Sequence, residues 1–143
     1  MIGLDLGARR IGVAVSDAGG TLASPRGAIA RTADATDHRR AVAALVEEVG
    51  AGRVIVGLPL SMSGATGEAA KAAIAEAAAL AEVVDVPVET CDERLTTVTA
   101  ARALRQGGVK GRDQRSRIDG AAAAVMLQAW LDGHRALERG DHP

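Results

Sequence analysis

Three acidic residues stand where the sequence leaves room for a ligand. Asp5 lies between Gly3 and Gly7 in a stretch that alternates with apolar residues, which predicts a strand with a carboxylate on an open face. Glu93 comes directly after a predicted strand, and open α/β sheets bind their ligands at the carboxyl ends of strands. Asp119 follows a basic segment and falls in the predicted first turn of the last helix.

Together, the three carboxylates would form a set of hard oxygen donors. Carboxylates that lie close together raise one another's pKa, so such a cluster favours a bound cation. Two Mg²⁺ or Mn²⁺ ions would neutralise the charge and generate a hydroxide nucleophile beside a phosphodiester. If the acids converge, we expect Asp5, Glu93 and Asp119 to be both catalytic and metal-ligating residues.

Each acid also has a purely structural interpretation. An aspartate before glycine, such as Asp5, is a common turn former. Glu93 and Arg94 could form a surface ion pair worth less than about 1 kcal/mol. The segment 116–119 fits a capping box, in which Asp119 would stabilise the first turn of its helix. For each residue taken singly, the sequence leaves both interpretations open.

A glycine-rich, basic segment precedes Asp119 and is predicted to be a loop. Charge runs are usually solvated faces, but this one leads directly into a candidate metal ligand, which favours a role in binding phosphate. The residues that we predict to contact nucleic acid are all basic: Arg10, Arg94, Lys110, Arg112, Arg115 and Arg117.

Other reactive side chains have weaker patterns. Ser61 and Ser63 lack a nearby histidine and the nucleophile-elbow pattern, so we reject a serine nucleophile. His38 has no histidine or cysteine at ligand spacing and is predicted to be a solvent-facing helix residue. Cys91 is the only cysteine, which excludes an intramolecular disulfide and a cysteine-based zinc site.

Length and composition indicate one globular unit. The 143 residues are 48% hydrophobic and 24% charged, which suffices for one buried core, so we predict a single domain over 1–137 and a frayed tail over 138–143. The apolar runs are rich in alanine and interrupted by charges, and no signal pattern opens the chain. We therefore expect a cytoplasmic protein with no membrane partner.

The overall charge restricts how nucleic acid could be recognised. The net charge is −1, so a phosphate-binding surface would have to be a local patch. Trp130 is the only aromatic residue, which argues against a platform for stacking bases. Recognition would then rest on backbone contacts and shape.

The order of predicted elements indicates the fold class. Three consecutive strands form a meander, and the later strands alternate with helices, which predicts a mixed, five-stranded α/β sheet flanked by helices. Pro25 suits an edge strand or a bulge. The predicted strands are 2–6, 11–15, 21–30, 53–57 and 86–90, and the predicted helices are 37–49, 68–84, about 96–106 and 117–136.

Four motifs follow one another along the chain: Asp5-Leu-Gly7 with 11–17, Val56-Gly-Leu-Pro59 with Gly64 and Gly67, 92–97, and 115–119 with the alanine-rich helix. In this order they closely resemble the YqgF family, the Holliday junction resolvase-like proteins regarded as nucleases of pre-16S ribosomal RNA. The resemblance covers almost the whole chain. The family often has lysine where Arg115 and Arg117 stand, which keeps the charge but changes the hydrogen-bonding geometry.

The resemblance implies an RNase H-like fold, with Asp5, Glu93 and Asp119 as the acidic triad of a nuclease that uses Mg²⁺ or Mn²⁺. The implied reaction is phosphodiester hydrolysis that trims the 5′ end of the small-subunit rRNA precursor. The implied partners are pre-16S rRNA and ribosomal precursor particles.

Three alternatives remain open. The same fold could serve a DNA endonuclease that cuts four-way junctions. A junction with two-fold symmetry would favour a dimer, but the sequence does not predict the oligomeric state. The opening motif also resembles the phosphate loop of actin-like ATPases and sugar kinases, but those need two such domains and 143 residues hold one. A non-catalytic RNA-binding assembly factor is the third, and the intact acidic residues argue against it.

Overall fold

The computed structural model describes residues 1–59, 67–93 and 112–138, without the side chains of 112–116, 136 and 138. The predicted helix at about 96–106 and the tail from 139 lie outside these residues. In chain order, the elements are β1 (Ile2–Leu6), β2 (Arg10–Ser16), β3 (Ala23–Ala30), α1 (Ala35–Val49), β4 (Val54–Leu58), α2 (Glu68–Val83), β5 (Val88–Asp92) and α3 (Arg112–Glu138).

The strands form a single five-stranded sheet in the order β3-β2-β1-β4-β5. The first three are antiparallel neighbours, whereas β4 and β5 run parallel to β1. This confirms the predicted mixed sheet. Pro25 lies in the edge strand β3, next to a register shift opposite Gly12 and Ala14, where Gly27 has a φ of +81°. Proline is tolerated there because an edge strand has one unpaired side.

The two faces of the sheet pack against different helices. On one face, Leu4 and Val56 join Val42 of α1 and Leu80 of α2 in a buried cluster. The opposite face packs against α3 through a second cluster that includes Ile55 and Leu127. Because side chains alternate along a strand, Gly3 and Asp5 point to the α3 side of β1.

Glycines allow α3 to lie close to the sheet. A Cβ at Gly3 would lie 2.9 Å from Cβ of Leu127, and one at Gly120 would lie 3.0 Å from the backbone nitrogen of Gly27. Larger residues at either position would hold the helix away from the strands. The small residues therefore bring the N-terminal half of α3 down onto β1, β2 and β3.

Helix α3 begins five residues earlier than predicted, at Arg112 instead of 117. Residues 112–116 were predicted as a loop and are helical, because no glycine or proline interrupts the chain between Gly111 and Asp119. Asp119 consequently lies about two turns into the helix, so the capping-box interpretation of 116–119 is wrong. The helix ends at Glu138, one residue beyond the predicted domain boundary.

The prediction that His38 faces solvent is also wrong. His38 is 2% exposed, and its Nε2 lies 3.1 Å from Oε2 of Glu76 on α2. Arg39 binds both oxygens of the same carboxylate, each at 2.9 Å. His38 precedes Val42 by four residues and so continues the buried stripe of α1. Its polar partner comes from another helix, which helical periodicity alone does not show.

Two smaller observations complete the fold. Asp17 accepts hydrogen bonds from the backbone N–H groups of Thr21 (2.7 Å) and Leu22 (3.2 Å), so its side chain stabilises the turn between β2 and β3. No helix within the described ranges is long and apolar enough to cross a membrane.

Candidate active site

A row of three residues crosses the centre of the sheet: Gly12, Asp5 and Gly57. Asp5 on β1 pairs with Gly12 on β2. On the other side, Leu4 pairs with Val56 of the parallel strand β4, so the same register would bring the next residue, Gly57, alongside Asp5. Paired neighbours present their side chains on the same face of a sheet. The Asp5 carboxylate therefore stands on the α3 face between two positions that have no side chain.

Asp119 occupies the space above Gly12. A Cβ at Gly12 would lie 2.6 Å from the carbonyl carbon of Asp119, so the backbone of α3 passes directly over this glycine. Asp119 is 1% exposed, and the Nε–H of Arg10 donates a 2.7 Å hydrogen bond to its Oδ2. The close approach of α3 to β2 thus brings the backbone of Asp119 over Gly12, the residue that pairs with Asp5.

Glu93 occupies the space above Gly57 on the other side of Asp5. A Cβ at Gly57 would lie 3.0 Å from Cδ of Glu93. Gly57 pairs with Cys91 on β5, and Glu93 lies two residues beyond Cys91, just past the end of the strand. Its side chain reaches back over the sheet and is 3% exposed. The register of β4 and β5 therefore brings Glu93 to one side of Asp5, and the docking of α3 brings Asp119 to the other.

The chemistry of this site fits a divalent cation. The carboxylates of Asp5, Glu93 and Asp119 are hard oxygen donors of the kind that Mg²⁺ and Mn²⁺ prefer, and all three residues are buried. Gly12 and Gly57 leave the space that Asp119 and Glu93 fill, because a side chain at either position would collide with them. Within the described ranges, no group of three His, Cys, Asp or Glu side chains is arranged to hold a metal ion, so the carboxylates do not form a closed ligand set here.

Cys91 lies in the same row of the sheet, beside Gly57. Burial raises the pKa of its thiol, and the neighbouring carboxylates of Asp92 and Glu93 raise it further. A thiol is a nucleophile and a metal ligand only as the thiolate. Cys91 is therefore a neutral, half-buried packing residue at neutral pH, and its partly buried side chain joins the cluster beneath α3.

Only two of the six basic residues predicted to contact nucleic acid have described side chains. Arg10 is bound to Asp119. Arg117 is exposed on α3, two residues before Asp119. The remaining four lie outside what the structure describes: Arg94 and Lys110 entirely, and Arg112 and Arg115 in their side chains. Contact with phosphate stays a prediction for all six.

Two features of this site were not predicted from the sequence. Gly12 and Gly57 make room for Asp119 and Glu93, and the available signal was a glycine within an otherwise apolar strand. The bond between Arg10 and Asp119 joins residues 109 positions apart and left no local signal.

Comparison with known proteins supports the sequence interpretation. A family model described as "RuvX: Holliday junction resolvase" matches residues 1–133. A protein of Rhodococcus opacus (strain B4) is 51% identical over 146 residues, which cover 98% of this chain and 82% of that protein. A protein of Mycobacterium leprae (strain Br4923) is 50% identical over 145 residues, which cover 99% of this chain and 78% of that protein. Both carry the name "Putative pre-16S rRNA nuclease".

Two solved structures share the fold. The structure of Thermus thermophilus RuvC in complex with a Holliday junction substrate aligns with a TM-score of 0.54 at 15% identity, covering 98% of this chain and 96% of RuvC. A second T. thermophilus RuvC structure aligns with the same TM-score at 16% identity, covering 94% and 95%. These alignments confirm the predicted RNase H-like fold.

Proposed function

This chain belongs to the RuvX family, as the resemblance to YqgF proteins predicted, and we propose that it is a divalent-metal-dependent nuclease acting on precursor 16S rRNA. The observation that carries the proposal is the row Gly12–Asp5–Gly57. Asp119 lies over Gly12 and Glu93 lies over Gly57, on either side of Asp5. Two of the relatives, about half identical to this chain, bear the name of a pre-16S rRNA nuclease, which supports RNA as the substrate.

In this proposal, Asp5, Glu93 and Asp119 hold Mg²⁺ or Mn²⁺, with two ions expected. When bound, the metal neutralises the carboxylates and activates a water for attack on phosphorus. Asp5 stands on β1, which has strands on both sides, so its backbone is the most firmly held of the three. Glu93 and Asp119 reach it from a strand end and from a helix, and each is positioned by packing against a glycine.

The protein's other residues prepare the site for a phosphodiester. Because Gly12 and Gly57 have no side chains, Asp119 and Glu93 can approach Asp5 over these two positions. Burial of the carboxylates keeps water from screening their charge. Arg112, Arg115 and Arg117 precede Asp119 in the same helix, and their positive charge would attract the RNA backbone.

The decisive experiment compares wild type with Asp5→Asn on precursor 16S rRNA in the presence of Mg²⁺ or Mn²⁺. Asparagine preserves size but removes the charge that binds the cation, so we expect cleavage to fall by about 100-fold or more. Asp17→Asn is the matched control, because Asp17 is an aspartate in an exposed turn. It should cut at nearly the wild-type rate. Wild type that cuts nothing, or Asp5→Asn that cuts equally well, would show that the metal-nuclease proposal is wrong.

A second substrate must be tested alongside, because the matching family is described as a Holliday junction resolvase. A synthetic four-way DNA junction and a generic single-stranded RNA should both be cut more slowly than precursor rRNA. Preferential cutting of the junction would instead favour a structure-selective DNA endonuclease. The RNA proposal also implies that the protein works with ribosomal precursor particles in the cytoplasm.

A further inference from the structure

Arg10 connects the sheet to α3 at the candidate active site. It opens β2 two residues before Gly12, so both residues lie on the face of the sheet that carries Asp5. Its Nε–H donates a 2.7 Å hydrogen bond to Oδ2 of Asp119. The Arg10 side chain is 22% exposed, whereas that of Asp119 is 1% exposed.

This pair differs from an ordinary surface ion pair. The carboxylate is fully buried, and the bond length is typical of a charge-assisted hydrogen bond. The backbone beneath the guanidinium is held as well, because the carbonyl of Arg10 accepts from the N–H of Gly7 at 2.9 Å and Arg10 pairs with Ala30 on β3. Because the backbone of Arg10 is fixed in this way, its hydrogen bond restricts the rotation of the Asp119 carboxylate.

We propose that Arg10 is a positioning residue, which holds the Asp119 carboxylate in the orientation that lets it share a divalent cation with Asp5. The inference rests on the proposed function and adds a role to a residue first predicted only to contact nucleic acid. Hydrogen-bonded partners of metal-ligating carboxylates typically change metal affinity by about 10- to 100-fold when they are removed.

Repulsion between Arg10 and the cation acts in the opposite direction, since both are positive. Two features make orientation the larger effect. The charge of the guanidinium is already balanced by Asp119 at 2.7 Å, and its 22% exposure lets water screen it. The expected sign is therefore weaker metal binding when Arg10 is removed.

Binding of Mn²⁺ to the full chain, measured by electron paramagnetic resonance without nucleic acid, tests this inference. We expect Arg10→Ala to raise the dissociation constant by about 10- to 100-fold. Arg10→Lys keeps the charge but lacks the planar guanidinium and its Nε–H, so it should also weaken binding. Arg9→Ala is the matched control, because Arg9 is the exposed arginine next in sequence, and it should bind like wild type.

A metal-free measurement tests the bond itself. The Nε–H resonance of Arg10 should exchange slowly with solvent in wild type and lose this protection in Asp119→Ala. Thermal unfolding of every variant establishes that it is folded. If Arg10→Ala does not fold, Arg10→Lys and the exchange measurement carry the test.

The outcomes separate this inference from the proposed function. If wild type binds Mn²⁺ but Arg10→Ala binds it equally well or more tightly, Arg10 does not position Asp119 and the proposed function stands. If Arg10→Lys binds like wild type, charge and not orientation is what matters, which also overturns the inference. If Asp5→Asn binds Mn²⁺ as wild type does, the metal site is misplaced and both proposals fail.

Discussion

Replacing Gly57 with alanine would test whether the position of Glu93 beside Asp5 matters for catalysis. The new Cβ would lie 3.0 Å from Cδ and 3.1 Å from Cγ of Glu93. Carbon atoms pack best at about 3.5–4.0 Å, so the carboxylate must withdraw by about 0.5–1 Å. The obstacle is a side chain with rotatable bonds and not backbone, so the strands themselves can stay in place.

The magnitude follows from this displacement. Moving a catalytic group by about 1 Å can cost about 100-fold in rate, so we expect kcat on precursor 16S rRNA to fall by about 10- to 100-fold. Stability should change little, because alanine restricts the unfolded chain by about 0.4–1 kcal/mol and the crowding at Glu93 works against this gain. A net change below about 1 kcal/mol corresponds to a shift in Tm of less than about 4 °C.

The assay is cleavage of precursor rRNA under single-turnover conditions, with Tm measured on the same preparations. Gly52→Ala is the matched control, because a Cβ at Gly52 would meet no atom within 4 Å. It should leave both rate and Tm near the wild-type values. A folded Gly57→Ala protein with wild-type kcat would refute the assignment of Glu93 as a catalytic carboxylate at this place.

Two further predictions concern stability. Gly12→Ala would place a Cβ 2.6 Å from the carbonyl carbon of Asp119, and because backbone cannot rotate away, α3 must shift. We expect a loss of about 1–3 kcal/mol in denaturant unfolding, and wild-type stability would contradict the close approach of α3. Burial pushes the pKa of Glu76 upward, but hydrogen bonds from Arg39 and His38 outweigh it and hold the pKa below its ordinary 4.5. The ionised Glu76 therefore stabilises the fold above pH 4.5 and loses this effect as pH falls through its lowered pKa. Glu76→Gln should make the unfolding free energy fall less steeply as the pH is lowered. An unchanged slope would contradict the interaction of Glu76 with Arg39 and His38.

Much of the fold could be read from local patterns. The period of two in β1 placed Asp5 on the face opposite Ile2 and Leu4, and the structure confirms this arrangement. Pro25 indicated an edge or bulge, and it lies at both. These features depend on neighbours within a few residues, so local sequence is enough to determine them.

Local patterns were less informative about helices that meet other elements. The basic segment before Asp119 was interpreted as a loop because of its glycines and charge, although 112–119 contains no helix breaker and is helical. His38 was placed in solvent because it had no metal-binding partner in sequence. Its burial depends on Glu76, which comes from a different helix.

The sequence by itself determined the mixed sheet that begins with a meander, the open face around Asp5 and, through the resemblance to YqgF proteins, the choice of Glu93 and Asp119 as its partners. Only the tertiary structure decided how those partners reach Asp5. Glu93 arrives through the register of β4 and β5, and Asp119 through the docking of α3 on Gly12. Register and docking are set by contacts between residues far apart in the chain, and such contacts leave no periodic signal in the sequence.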